Sequence, residues 1–154
     1  MANTNNHTKP HAFNPATVPP PPPTYNQVAV TPIISSSKLI TLAGQTGIDI
    51  RTGKAPAEFL EQVKLAYINV SNALQAAGAT PRDIVHVRHY IVTSTGRPEL
   101  DSMDVVDRGW GQLWIDFMDG EAEGHRPPDT VLGVASLAKA ALLYEVEAWA
   151  IVHG

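Results

Sequence analysis

The chain has 154 residues and a formal net charge of -4 at pH 7, and 44% of its residues are hydrophobic. This length suits one domain with its own core, and the acidic balance argues against charge-driven binding of nucleic acids. The absence of cysteine excludes disulfides, thiolate zinc sites and thiol nucleophiles. No apolar run reaches the roughly 18 residues of a membrane span, and the N-terminus is polar, so we expect a cytoplasmic protein with no membrane partner.

The first 24 residues differ in composition from the rest of the chain. They are rich in Asn, Thr and Pro, and Pro19–Pro23 are consecutive prolines. Such a segment buries too little apolar surface to offset its ordering entropy, and the proline run favours polyproline II. We therefore expect residues 1–24 to be a flexible leader and 25–154 to be the folded domain. The alternative is that the leader docks into an aromatic groove of a partner or of a neighbouring subunit.

Periodicity and turn residues divide the domain into seven elements. The clearest is the first helix, where Phe59, Val63, Ala66, Val70 and Leu74 recur at spacings of three and four. In chain order we predict strands at 27–32 and 38–45, a helix at 58–77, a strand at 84–93, a helix at 100–117, and strands at 128–134 and 142–152. The order β-β-α-β-α-β-β indicates an α+β fold.

The last predicted strand carries two acidic residues in an otherwise apolar run. Side chains alternate along a strand, so Glu145 and Glu147 share one face with Trp149. A carboxylate amid apolar surface is costly unless it is paired or hydrogen-bonded. Glu145 is a candidate general base or water holder, and the alternative is a structural carboxylate. For Glu147 a salt-bridge role is favoured.

Several short motifs in order carry a resemblance to a known family. They are Tyr25-Asn26-Gln27, Ala43-Gly44-Gln45, Asp49 with Thr52-Gly53, Gln62 with Asn69, and Leu143-Tyr144-Glu145-Val146-Glu147-Ala148. Their shared order and spacing resemble the Rid family, also called YjgF-like proteins or reactive-intermediate deaminases, over about residues 25–152. The resemblance implies a chorismate-mutase-like domain whose sheets form the barrel of a homotrimer, with helices outside and ligand clefts between subunits.

The resemblance also implies an activity. Typical members hydrolyse enamines or imines to a keto acid and ammonia, with no metal and no cofactor. In such a site Glu145 would hold the attacking water, and Tyr25 and Gly44 would line the cleft. No metal is expected from the histidines either, because His86 and His89 lie three apart on a strand and point to opposite faces. We expect these two to be surface or half-buried residues.

The chain departs from the family at the residue that clamps the substrate carboxylate. Where the family has Pro-x-Arg-Ser/Thr, this chain has Pro127-Pro128-Asp129-Thr130. A cation at 4 Å from a carboxylate is worth up to about 4 kcal/mol at an effective dielectric of 20, and an aspartate reverses the sign. The ligand is therefore expected to be neutral or cationic, and classical 2-aminoacrylate deamination is not expected.

Four further residues are candidates for the same cleft. Asp107 stands about where the family often has an asparagine, and it would shape the pocket. Arg126 and Arg88 are candidate substitutes for the missing arginine, and His125 is a candidate for the cleft mouth. The sequence thus supports a Rid-type enzyme that hydrolyses, or shifts a proton on, an imine, enamine or related electrophile. The alternative is an inactive trimeric protein that only binds a ligand or regulates.

Overall fold

The computed structural model describes residues 8–154 and shows a mixed sheet with helices packed on one face. The elements are β1 His11–Phe13, β2 Val28–Val30, β3 Ser37–Thr41, β4 Gln45–Thr46, α1 Phe59–Ala76, β5 Ile84–Val92, α2 Pro98–Asp101, α3 Trp110–Glu121, β6 Asp129–Val134 and β7 Tyr144–His153. The α+β class predicted from the sequence is confirmed. Within residues 8–154, no helix is long and apolar enough to cross a membrane.

The long C-terminal strand β7 organises the main sheet. It pairs antiparallel with β3, β4 and β5, and the five-stranded sheet has the order β3-β7-β5-β6, with β4 beside β7. Strands β5 and β6 are parallel, so the chain must cross over between them, and α2 and α3 lie in this crossover. Residues at the start of β6 line the same cavity as residues at the start of α3.

The two faces of the sheet have different partners. Val87, His89 and Ile91 on β5 are buried beneath the helices, whereas Arg88 and Tyr90 point to the opposite face, which we call the outer face. The predicted apolar stripe of α1 is confirmed, since all five of its residues are buried in the core. Burying one such Val or Leu side chain contributes roughly 1.5–3 kcal/mol, which holds α1 on the sheet.

The prediction of one helix over 100–117 is wrong. The structure has the four-residue helix α2, a 3-10 turn at Val105–Asp107, and then α3. Gly109 has φ 84 and marks the start of α3, a backbone conformation that only glycine adopts without strain. Arg108 just before it is buried and donates hydrogen bonds to the carbonyls of Val92 and Thr93 at 2.7 and 3.0 Å. These hydrogen bonds fix the turn between α2 and α3 against the end of β5.

Residues 8–24 lie along the domain. Strand β1 pairs antiparallel with β2, and the Trp114 indole Nε1 donates to the Thr24 carbonyl at 3.1 Å. Lys9 forms an ion pair with the buried Asp83. These contacts do not measure motion, so the flexibility expected for the leader stays a prediction. The part of that prediction that falls on residues 1–7 lies outside the described residues.

Candidate functional site

A cavity of about 560 Å³ lies between the leader, the start of α3 and β6. Its lining residues are Pro22, Thr24, Tyr25, Val106, Asp107, Trp110, Gly111, Asp129, Thr130 and Val131. Two are carboxylic acids, and among the described residues no lysine, arginine or histidine lines the cavity. A volume of this size accommodates a small organic molecule.

Asp129 is the most unusual group in this cavity. It is the first residue of β6 and pairs with the buried Val87, so its side chain points towards the helices and is only 2% exposed. Its Oδ2 atom has no hydrogen-bond partner within residues 8–154. Burial disfavours the charged form and raises the pKa of Asp129 to about 7. The carboxyl can therefore both donate and accept a proton near neutral pH.

Behind Asp129 lies a buried histidine. His89 Nε2 stands 3.8 Å from Asp129 Oδ2, and neither atom has a hydrogen-bond partner among the described residues. The His89 ring is fully buried, and this burial lowers its pKa to about 3. The carboxyl of Asp129 keeps its proton at pH values at which the His89 ring has already lost its own. Protonated Asp129 and neutral His89 therefore face each other without forming an ion pair.

His89 continues into two buried tyrosines. Its Nδ1 is 2.6 Å from the Tyr144 hydroxyl, and the Tyr144 hydroxyl donates to the Tyr67 oxygen at 3.0 Å. Burial raises the pKa of both tyrosines above the ordinary value, which keeps them neutral. A polar chain therefore runs from the cavity through β6, β5 and β7 to α1.

Two tryptophans of α3 separate this chain from water. The rings of Trp110 and Trp114 lie 4.6 and 5.1 Å from that of His89, measured between ring centroids. Each indole is fixed by its N–H group, Trp110 to the Val105 carbonyl at 2.9 Å and Trp114 to that of Thr24. Trp110 also lines the cavity, so it offers an apolar aromatic wall to a ligand.

The structure brings three of the five proposed site residues together and places two elsewhere. Tyr25, Asp107 and Asp129 line the same cavity. Glu145 lies on β7 opposite Tyr90, on the outer face of the sheet. Its carboxyl sits over Gly44, where a Cβ atom would come impossibly close to Glu145 Oε1. Gly44 thus leaves room for this carboxyl, but within one protomer neither residue reaches the cavity.

The candidate substitutes for the family arginine are engaged elsewhere. Arg126 binds Asp119 at 2.6 Å, and Arg88 binds Glu147 on the outer face at 2.7 Å. His125 is buried, with its Nε2 at 2.7 Å from the Ile84 carbonyl, and burial lowers its pKa to about 4. None of the three lines the cavity of its own protomer.

The sequence reasoning missed His89. It correctly put His86 and His89 on opposite faces, but the expectation of a surface or half-buried position is wrong for His89, which is fully buried. The available signal was its alternation with Val87 and Ile91, which marks the core face of β5. Among residues 8–154, no group of three or more His, Cys, Asp or Glu side chains is arranged to hold a metal ion.

Fold and cavity together define a small α+β domain with a carboxyl-lined cavity beside the parallel strand β6. The model of the family described as Endoribonuclease L-PSP matches residues 18–152, so the chain belongs to this family, which contains the Rid/YjgF proteins. Members of the Rid/YjgF group are typically imine deaminases or endoribonuclease-like proteins. No curated protein matches the chain significantly.

Solved structures agree with this family. The chain is similar to the Rid family protein YyfB from Yersinia pestis, with a TM-score of 0.75, 24% identity, and coverage of 94% of this chain and 99% of that one. Escherichia coli TdcF with bound serine matches with a TM-score of 0.61 and 23% identity, over 86% of this chain and 96% of that one. RidA from an Antarctic Psychrobacter matches with a TM-score of 0.58 and 21% identity, over 94% of this chain and 98% of that one. At these identities the likeness shows the fold.

Proposed function

We propose that the protein is a cofactor-independent enzyme that hydrolyses, or shifts a proton on, an imine or enamine without a carboxylate. The observation that carries the proposal is Asp129, a buried carboxyl with an unpartnered oxygen at the wall of the cavity. Its raised pKa, about 7, is matched to proton transfer near neutral pH. Tyr25, Asp107 and Trp110 would position the ligand around it.

The hydrolysis needs only one carboxyl to move protons. As water attacks the iminium carbon, ionised Asp129 takes a proton from it, and a neutral carbinolamine forms. Protonated Asp129 then gives this proton to the nitrogen. The C–N bond breaks as the hydroxyl proton passes through Asp129 to the leaving ammonia. One iminium ion and one water thus give one carbonyl compound and one ammonium ion, and Asp129 ends ionised as it began.

The charge of the cavity supports a substrate that is neutral or cationic. Within the described part of the chain, two aspartates and no basic side chain line it. Opposite unit charges 4 Å apart attract by about 4 kcal/mol at an effective dielectric of 20, and a substrate carboxylate at that distance is repelled by as much. An imino acid is therefore disfavoured, as is the phosphate backbone of RNA.

The outer face of the sheet supports assembly into a homotrimer, the general state of the family. Leu39 and Trp149 are 63% and 42% exposed on this face, and large exposed apolar side chains on one sheet face are suited to burial between subunits. We propose that a neighbouring copy covers the cavity and that Glu145, whose carboxyl lies over Gly44, holds the attacking water in this inter-subunit cleft.

The test compares two classes of imine in one assay. An amine oxidase acting on benzylamine supplies a carboxylate-free imine, an amino-acid oxidase acting on leucine supplies an imino acid, and release of ammonia is followed. We expect the protein to accelerate only the first hydrolysis, and Asp129→Asn to abolish the acceleration. Asp116→Asn, an exposed aspartate on α3, is the matched control and should retain the activity. Equal or greater acceleration with the imino acid would refute the selectivity. Benzylamine binding that Asp129→Asn leaves intact, with no turnover in the wild type, would instead favour a binding protein.

A further inference from the structure

The feature that the proposed hydrolysis does not use is the polar chain behind Asp129. We propose that His89, held in its Nδ1–H tautomer by the Tyr144 hydroxyl, presents an unprotonated Nε2 to Asp129 and so favours the protonated form of the cavity carboxyl, which lets both forms coexist near neutral pH as the proposed hydrolysis requires. His89 would then be a positioning residue, since it touches Asp129 and not the ligand. The inference deepens the proposed role of Asp129 and rests on it.

The proposed tautomer follows from one order of the hydrogen bonds along the chain. In this order Tyr144 donates its one hydroxyl proton to the Tyr67 oxygen, 3.0 Å away, so towards His89 it offers a lone pair. The facing Nδ1, at 2.6 Å, then carries the proton of that hydrogen bond. A neutral imidazole has one N–H group, so Nε2 is left as an acceptor directed at Asp129 Oδ2, 3.8 Å away. Rotation of the carboxyl about its soft χ2 torsion can bring an Oδ2–H group within reach.

The reversed order is disfavoured by charge. If Tyr67 donated to Tyr144 and Tyr144 to Nδ1, an Nε2–H group would face Asp129 and favour its ionised form. That arrangement places an anion in a position that is 2% exposed, with a single donor 3.8 Å away. The order with Nδ1–H leaves every member of the chain uncharged, and the uncharged state has the lower free energy in an interior that excludes water.

Among residues 8–154, no cation faces Asp129 to favour its ionised form. The titratable groups that face it from the surrounding elements are His89 on β5, Tyr144 on β7, Tyr67 on α1, Tyr25 of the leader segment and Asp107 of the turn before α3. Burial keeps Tyr67 and Tyr144 neutral, and a negative charge on Asp107 favours the protonated form of Asp129. Arg88 and Glu147 form their ion pair on the outer face, with the sheet between them and Asp129.

The proposal predicts an effect from residues that do not touch the cavity. In Tyr144→Phe, Nδ1–H loses its acceptor, so the imidazole gains by moving its proton to Nε2, where it donates to ionised Asp129. In Tyr67→Phe, the Tyr144 proton loses its acceptor and turns to Nδ1, which again puts the imidazole proton on Nε2. Each variant removes a single oxygen, and both should lower the pKa of Asp129 by about one unit or more.

The experiment is carbon-detected NMR of the Asp129 carboxyl, assigned by its loss in Asp129→Asn, with nitrogen shifts of His89 reporting the tautomer. Tyr90→Phe is the matched control, since the Tyr90 hydroxyl lies on the same strand as His89 but donates to Glu147 on the outer face. We expect an Nδ1–H tautomer in the wild type, a fall of at least tenfold in proton affinity in Tyr144→Phe and Tyr67→Phe, and no change in Tyr90→Phe. A wild-type Nε2–H tautomer, or an unchanged Asp129 titration in both variants, would overturn the proposal. Turnover is not measured, so this result is separate from that of the imine assay.

Discussion

Replacing Asp129 with asparagine should change how the stability of the protein depends on pH. Asparagine has nearly the same shape, and its amide N–H can donate to His89 Nε2 as a protonated carboxyl would. The variant therefore imitates the protonated form of Asp129 and lacks its titration. The wild type has the same favourable state only while the carboxyl holds its proton.

The size of the effect follows from the difference in pKa between the folded and unfolded chain. Burial raises the pKa of Asp129 from 3.8 to about 7. The folded state therefore binds the proton more tightly, so its stabilisation is complete below the unfolded pKa and is lost as the pH rises through 7. At 1.36 kcal/mol per pKa unit, the roughly three units amount to about 4 kcal/mol in full, and to about 3 kcal/mol between pH 5 and pH 8.

The assay is urea unfolding followed by tryptophan fluorescence, at a fixed protein concentration, from pH 5 to pH 8. Subtracting one protein from the other removes the contribution of shared groups such as His125. Asp129→Asn should be more stable than the wild type by about 2 kcal/mol at pH 5 and by about 4 kcal/mol at pH 8, so the difference widens with pH. Asp116→Asn should follow the wild type throughout. A difference between Asp129→Asn and the wild type that stays constant with pH would show that Asp129 ionises without penalty, and the proton-transfer argument would fail with it.

Four further substitutions test the packing and the assembly. Gly47→Ala should destabilise the protein by several kcal/mol in chemical denaturation, since the new Cβ would lie 2.4 Å from the Gln62 backbone. Gly120→Ala, where a Cβ meets no other atom, should stabilise the protein by up to about 1 kcal/mol. Equal effects of the two substitutions would contradict the packing described. Gln62→Leu should cost about 2–4 kcal/mol, because the side chain bonds to three backbone groups that would be left unpaired, and a loss below 1 kcal/mol would contradict this. Trp149→Glu should convert the proposed homotrimer to monomers in light scattering, and an unchanged mass would exclude the outer face as the interface.

The fold was largely predictable because it depends on periodic burial. The stripe of α1 and the alternation of β7 each follow from a repeated apolar spacing that only one secondary structure satisfies. The break before α3 was not predictable in the same way, because the apolar residues on either side of it fit one continuous helical stripe. The positive φ of Gly109 interrupts that stripe, and so do the hydrogen bonds that Arg108 donates to carbonyls at the end of β5. The second of these is a tertiary contact that spacing does not encode.

The candidate site was likewise predictable from the sequence only in part. Family resemblance singled out Tyr25, Asp107 and Asp129, and the folded chain places them around one cavity. It did not single out His89, since a histidine three residues from another on a strand carries no sign of its partners. The chain from Asp129 to Tyr67 draws on four elements far apart in sequence, and only the sheet register brings them together.

The energetic cost of Asp129 is itself an argument for its function. A loss of about 4 kcal/mol above pH 7 is a large share of the 5–15 kcal/mol by which a domain is usually stable. Asparagine would recover most of that loss in the same space, with a hydrogen bond to the same nitrogen of His89. Packing therefore gives no reason for an aspartate at this position, and what distinguishes the two side chains is that aspartate can release and recover a proton. This ability is placed at the wall of a cavity that no cation of residues 8–154 lines, so the cost of the buried carboxyl is consistent with the proposed proton transfer.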